Sequence, residues 1–144
     1  MERSEIRGFT IRVYGIIIDP DHRVLTTTET FRGRTFTKFP GGGLEWGEGP
    51  METLRRELHE ELNIKVTRAQ HFFTLDFPVI SAFDQNQQLL SIYYRIFEYF
   101  GTIPSQSQEE NVLSLDWVPL KDLRKDHFTF PVDQHIVDLL KQTL

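Results

Sequence analysis

A glycine-rich break followed by one well-marked helix constrains this fold more than any other feature of the sequence. A proline and three glycines interrupt regular structure at residues 40–43, and a helix is predicted over Pro50–Leu62. Gly49 suits the N-cap, and Pro50 suits the first helical position. An apolar stripe recurs at helical spacing and needs a partner surface: Met51, Leu54, Leu58 and Leu62. The sequence therefore predicts a helix packed against other elements.

Segments of β-sheet composition flank this helix on both sides. Before it, β-branched and aromatic residues predict three strands, at residues 6–18, 24–28 and 35–39. The turn expected at residues 19–21 makes the first two of these a hairpin. After it, two antiparallel strands, a short strand and a closing helix are predicted, at residues 69–77, 89–100, 115–118 and 132–144. The sum is an α/β fold, a mixed β-sheet with helices against it.

The length and charge of the chain exclude several classes of protein. Its 144 residues correspond to a single domain, residues 1–144. The formal net charge is -5 with scattered basic residues, which argues against an extended nucleic-acid surface but not against one nucleotide. No cysteine is present, which excludes thiolate chemistry. Residues 1–5 are charged and no apolar run could span a bilayer, so a cytoplasmic location without a membrane partner is expected.

Three glutamates of the predicted helix share one side of it. Glu57, Glu60 and Glu61 stand at i, i+3 and i+4, so their carboxylates project together. A solvated acidic face is the ordinary explanation for such residues. That face normally places a lysine or arginine four residues onward, however, and neither Glu57 nor Glu61 has one within the helix. The cluster therefore predicts an external cation, Mg²⁺ with Mn²⁺ as an alternative, because these ions prefer oxygen ligands.

The spacing around this helix resembles a known family signature. Gly42, five residues, Glu48, seven residues and then residues 56–64 match eight of the nine specified positions of the Nudix box. Asn63 stands where the family pattern has glycine, and asparagine is the non-glycine residue best suited to a left-handed C-terminal cap. The resemblance implies the Nudix α/β/α sandwich around a mixed sheet. It also implies a metal-dependent hydrolase that cleaves a diphosphate bond.

The resemblance assigns expected roles to residues in and beside the box. It implies that Glu57 is a metal ligand or the general base, and that Arg56 orients it. Glu60 and Glu61 are implied metal ligands, and the carbonyl of Gly41 is a further one. Gly42 and Glu48 are expected to support the loop. The family often uses another acid outside the box, and the candidates are Glu110, which we favour, and Glu109.

The substrate implied is a small nucleoside diphosphate derivative, such as a nucleoside triphosphate, ADP-ribose or a sugar nucleotide. Arg34 and Lys38 are candidate phosphate contacts, although an ordinary surface charge is the default explanation for each. Trp46 lies in the box loop and is a candidate wall of the site, with packing of the loop as the alternative role. Family members often form homodimers, so the resemblance admits that assembly. The alternative is a Nudix-fold module that binds a nucleotide or a partner without cleaving anything.

Overall fold

The α/β architecture is built from eight strands and two helices. The structure, a computed structural model, describes residues 3–144, and Met1 and Glu2 of the charged N-terminal segment lie outside the described residues. The strands are β1 Gly8–Ile17, β2 Arg23–Phe31, β3 Arg34–Lys38, β4 Gly41–Gly43, β5 Lys65–Thr74, β6 Val79–Ile80, β7 Gln87–Phe100 and β8 Val112–Pro119. The helices are α1 Pro50–Leu62 and α2 Pro131–Thr143. Three short 3-10 helices lie at Arg3–Glu5, Leu120–Asp122 and Lys125–His127.

A mixed sheet forms the centre of the molecule. Its main path is β4-β1-β7-β5, with β6 also paired to β7. The β1–β7 pair is parallel, and the β4, β5 and β6 pairings are antiparallel. The predicted antiparallel pairing of the two strands that follow α1 is therefore confirmed. A second, antiparallel sheet has the order β3-β2-β8.

The pairing of β2 differs from the prediction. We expected β2 to form a hairpin with β1, but the two strands share a single bridge, between Ile18 and Val24, and lie in different sheets. Both edges of β1 are already occupied, by β4 on one side and β7 on the other. β2 therefore pairs with β3 and β8 instead.

The two helices cover opposite faces of the central sheet. Alternate side chains of β1 point to opposite faces, so Val13 and Ile17 join the core under α1, whereas Tyr14 and Ile16 join the core under α2. Gly15 lies directly beneath α1, because a Cβ there would touch Leu54 and Leu58. The α/β/α sandwich that the resemblance implied is thus the observed fold. No helix within residues 3–144 has the length and apolar character needed to cross a bilayer.

Helix α1 begins and ends where the sequence predicts. Gly49 is the N-cap in an extended conformation, and Pro50 occupies the first turn. Asn63 forms the C-cap with φ 55° and ψ 39°, and its backbone N–H donates to the carbonyl of His59. Asparagine therefore serves in the left-handed conformation that a glycine would otherwise adopt.

Candidate active site

An acidic cleft opens where α1 faces the glycine strand β4. Its walls carry five carboxylates and the backbone of Gly41–Gly43. The glutamates are Glu29, Glu57, Glu60, Glu61 and Glu109. The close approach of strand and helix depends on Gly42, since a Cβ there would lie 2.3 Å from the Glu57 carboxyl group. Glycine at this position therefore leaves room for the Glu57 side chain.

Arg56 ties the box loop to the helix. Its Nε and Nη2 donate to the two oxygens of Glu48 at 2.7 and 3.0 Å, and Nη2 also donates to the carbonyl of Gly43 at 2.9 Å. Its Nη1 donates to Glu57 at 3.0 Å and to Glu60 at 3.5 Å. The hydrogen bond from Arg56 is the main cause that lowers the pKa of Glu48 to about 2. Arg56 thus orients Glu57 while Glu48 fixes the loop.

Glu61 is the most buried of the helix carboxylates. Only 5 % of the residue is exposed to solvent, and its Oε2 atom has no hydrogen-bond partner. Burial is the main cause that raises the pKa of Glu61 to about 7, and the charges of Glu29 and Glu57 act in the same direction. Burial likewise raises the pKa of Glu57, against the effect of Arg56. A buried, unpaired carboxylate oxygen is costly unless something outside the protein compensates it.

The donor atoms of the cleft fit a hard divalent cation. They are carboxylate and carbonyl oxygens, which Mg²⁺ and Mn²⁺ prefer, and one of them is the orphaned Glu61 oxygen. The side chains line the cleft without converging on one point: no group of three or more His, Asp or Glu within residues 3–144 is spaced to hold a metal ion as it stands. The match between the cleft and a divalent cation therefore rests on the chemistry of the donor atoms and on the unpartnered Oε2 of Glu61.

The loop between β7 and β8 brings Glu109, and not Glu110, to the cleft. Ser107 Oγ donates to the Glu61 carbonyl at 2.7 Å, and Gln108 Nε2 donates to the Glu60 carbonyl at 2.9 Å. These bonds occupy carbonyls at the end of α1 that helical geometry leaves free. With the loop anchored in this way, Glu109 lines the cleft while Glu110 is exposed outside it. Our preference for Glu110 disagrees with this placement.

A second, largely apolar pocket adjoins the acidic cleft. Five aromatic rings line it: Tyr14, Phe36, Phe83, Tyr93 and Phe130. Its polar groups include Ser91, whose buried Oγ has no hydrogen-bond partner, and Asp133, which accepts a 2.6 Å hydrogen bond from the Tyr93 hydroxyl. Burial raises the pKa of Asp133 to about 6, with the Tyr93 hydrogen bond acting against it. We call this the aromatic pocket.

Arg12 lies at the junction of the two cavities. Its side chain lines both the acidic cleft and the aromatic pocket, and its Nε donates to the Tyr14 hydroxyl at 2.6 Å. Phe36 and Phe83 also line both cavities. A ligand with an apolar body in the aromatic pocket and a phosphorylated end in the acidic cleft would therefore contact the Arg12 guanidinium between the two cavities.

Of the three predicted substrate contacts, Arg34 and Trp46 lie outside both cavities, whereas Lys38 lines the aromatic pocket. Lys38 is buried with 1 % of the residue exposed, so its expected place among the surface charges is wrong. Arg34 is exposed, donates to the Ala82 carbonyl at 3.1 Å and stacks over the Phe83 ring. Trp46 is fully exposed and does not line the cleft. Sequence alone could not separate these residues, because exposure depends on how β3 and the box loop pack.

Three residues that line the two cavities were not predicted from the sequence: Arg12, Glu29 and Asp133. The sequence did contain an indication of Arg12, since it is the single charged residue in an otherwise apolar strand segment. Asp133 sits in the first turn of α2, where an acid is ordinarily explained by the helix dipole. Glu29 lies between threonines in β2 and carries no distinguishing pattern.

The chain is similar to known proteins in sequence and in fold. The NUDIX domain family profile matches residues 8–140. A MutT structure from work on Aliivibrio salmonicida and Vibrio cholerae superposes with a TM-score of 0.72 at 26% identity, covering 96% of this chain and 100% of that one. A MutT NUDIX hydrolase from Burkholderia pseudomallei superposes with a TM-score of 0.73 at 22% identity, covering 96% of this chain and 99% of that one. At this identity the likeness supports the fold alone.

Curated relatives match over a shorter segment. An RNA pyrophosphohydrolase from Francisella tularensis is 34% identical over 58 residues, which are 40% of this chain and 36% of the relative. A protein of the same name from Bartonella bacilliformis is 34% identical over 61 residues, 39% of this chain and 36% of the relative. The matched region thus spans little more than a third of these relatives. The family profile, by contrast, spans nearly the whole chain, and the chain belongs to the NUDIX domain family.

Proposed function

We propose that this protein is a metal-dependent Nudix hydrolase that cleaves the diphosphate bond of a small nucleoside diphosphate derivative. The buried Oε2 atom of Glu61 in a five-glutamate cleft carries the proposal, because no described residue hydrogen-bonds it and a bound divalent cation would compensate it. The alternative of a module that binds without cleaving leaves this carboxylate set without a role.

The proposed chemistry is attack by water on one phosphorus of the diphosphate. A divalent cation supplies charge neutralisation at the phosphoryl oxygens and lowers the pKa of water. Glu57, Glu60 and Glu61 would hold that cation. Glu57, oriented by Arg56, is also placed to accept the proton of the attacking water, and Glu109 is a second candidate for that role.

We propose that the two cavities divide the substrate between them. Arg12 would meet the phosphate chain at the junction, since its guanidinium matches phosphate geometry. The aromatic pocket would take the base, with Ser91 and Asp133 as polar partners at its edge. Among the classes implied, a nucleoside triphosphate fits this arrangement best, because a base and a phosphate chain need only two subsites, whereas ADP-ribose and sugar nucleotides carry a further sugar. We also propose Mg²⁺ as the metal and a cytoplasmic site of action.

A substrate panel tests this proposal. Purified protein would be incubated with Mg²⁺ and nucleoside triphosphates, ADP-ribose, sugar nucleotides, dinucleotide polyphosphates and a 5′-triphosphorylated oligonucleotide. Chromatography of the products would show which bond is cut. We expect a nucleoside monophosphate and pyrophosphate from at least one nucleoside triphosphate, and no turnover with chelator. Tight binding of a nucleotide without any metal-dependent cleavage would support the non-catalytic alternative instead.

A further inference from the structure

Lys38 is a buried ammonium group beside the acidic cleft. Its Nζ lies 2.7 Å from Glu29 Oε2 and 4.0 Å from Glu61 Oε1. It also donates to the carbonyls of Phe39 and Gly41, at 3.1 Å each. Two of the ammonium hydrogens thus have carbonyl partners, and two of the groups around Lys38, Glu61 and the Gly41 carbonyl, are expected metal ligands.

A buried lysine needs strong compensation to stay charged. Lys38 has that compensation, because the carboxylates of Glu29 and Glu61 lie 2.7 and 4.0 Å from Nζ and two backbone carbonyls accept its hydrogens. The other four lysines, at positions 65, 121, 125 and 141, are all exposed. Among residues 3–144, Lys38 is therefore the one buried lysine, and it lies next to a cleft whose charged lining consists of five glutamates and Arg12.

We propose that the Lys38 ammonium is a built-in cation of the site: it occupies the place of one divalent ion between Glu29, Glu61 and the Gly41 carbonyl. It stays there when the metal is bound. Divalent cations are thereby confined to the side of the cleft that Glu57, Glu60 and the free Oε2 of Glu61 supply. Lys38 is a positioning residue, and the inference rests on the proposed metal-dependent function.

Nitrogen-15 NMR of the lysine ammonium groups tests this inference in the wild-type protein. Exposed ammonium groups exchange their protons rapidly with water, whereas a buried, hydrogen-bonded one is protected. We expect one slowly exchanging lysine signal at neutral pH, absent from Lys38→Met, and we expect it to persist when saturating Mg²⁺ is added. Loss of the signal on adding Mg²⁺, or no protected signal at all, would overturn the proposal.

Manganese binding to Lys38→Met gives an independent test. Removing the ammonium leaves Glu29 and Glu61 facing one another with the Gly41 carbonyl between them, a set of oxygens suited to a divalent ion. Titration followed by electron paramagnetic resonance should therefore show one more bound Mn²⁺ per chain than in wild type. The double variant Lys38→Met/Glu29→Gln lacks the second carboxylate and should return to the wild-type number.

An unchanged Mn²⁺ number in Lys38→Met would overturn the proposal, as would an extra ion in the double variant. If Lys38→Met does not fold, the NMR measurement on the wild-type protein still decides, because the other four lysines are exposed and would give no protected signal. Neither test uses turnover. Absence of hydrolysis across the substrate panel would therefore refute the proposed function without affecting the result for Lys38. A failed Lys38 test, conversely, would leave the proposed function standing.

Discussion

Glu57 combines three features that few side chains of the cleft share. It lies against the glycine strand, it accepts a 3.0 Å hydrogen bond from Arg56, and burial raises its pKa. The hydrogen bond fixes the direction of the carboxylate, and the raised pKa makes it a better proton acceptor than an exposed glutamate. Its contribution should therefore be chemical more than structural.

Glu57→Gln should lower kcat by about 10²- to 10⁴-fold, the usual range for loss of a general base or an essential ligand. Steady-state kinetics with Mg²⁺ would measure it. Glu52→Gln is the matched control, because Glu52 is an exposed acid on the same helix. Full metal-dependent turnover by Glu57→Gln would remove Glu57 from both expected roles.

Arg12 should act on substrate binding more than on chemistry. Arg12→Gln removes the guanidinium at the junction of the cavities, and a charge-assisted hydrogen bond of about 1.5–3 kcal/mol corresponds to roughly a 10- to 100-fold rise in KM. Arg55→Gln, an exposed arginine on α1, makes the same change in charge away from the cleft. A fall in kcat at unchanged KM would contradict this role.

The glycine strand β4 controls where the helix carboxylates lie. Gly42→Ala would place a Cβ 2.3 Å from the Glu57 carboxyl group, which would have to rotate away. The flexible side chain can yield, so we expect a change of about 1 kcal/mol or less in the free energy of unfolding. Activity should fall about 10²-fold or more, because Glu57 loses its position.

Gly43→Ala is the control on the same strand. The nearest atom to a Cβ at Gly43 is Nη1 of Arg12 at 3.9 Å, an ordinary contact. Its stability and kcat should stay near the wild-type values. Equal activity in the two variants, measured beside their denaturant unfolding curves, would show that Gly42 does not position Glu57.

Elements with local signals were predictable, and elements defined by tertiary contacts were not. The bounds of α1 follow from Gly49, Pro50 and Asn63, which act on neighbouring backbone. β4 consists of three glycines and has no strand propensity of its own; it forms because β1 supplies its hydrogen bonds. The position of Glu109, rather than Glu110, at the cleft has the same origin. Ser107 and Gln108 can anchor their loop to the carbonyls of α1 only once that helix is in place.

At the scale of the whole molecule, the sandwich brings distant segments to one site. β1 contributes Arg12, β2 contributes Glu29, and the start of α2 contributes Asp133. Sequence could predict the box because its residues lie within 23 positions of one another. The aromatic pocket could not be predicted, because it draws on strands and a helix that meet only in the folded protein.

Asp133 should make stability depend on pH. Its pKa is about 6 in the folded protein against 3.8 for the free group, so the protonated form favours folding and this stabilisation is lost as pH rises through about 6. The difference corresponds to an order of 3 kcal/mol. Asp133→Asn should therefore be more stable than wild type at pH 8, with the advantage shrinking towards pH 4.

Denaturant unfolding at pH 4, 6 and 8 would measure this effect. Asp138→Asn is the matched control, since Asp138 lies on the same helix and pairs with Lys125 at the surface. A constant difference between wild type and Asp133→Asn across this range would contradict the ionisation of a buried Asp133.

The central claim is that the acidic cleft binds a divalent cation through the carboxylates of α1. Anomalous diffraction from crystals soaked in saturating Mn²⁺ tests it most directly. We expect an ion within about 2.3 Å of oxygens from Glu57, Glu60 or Glu61, beside an unmoved Lys38. An empty cleft, with these carboxylates still directed at Arg56 and Lys38 alone, would contradict the account.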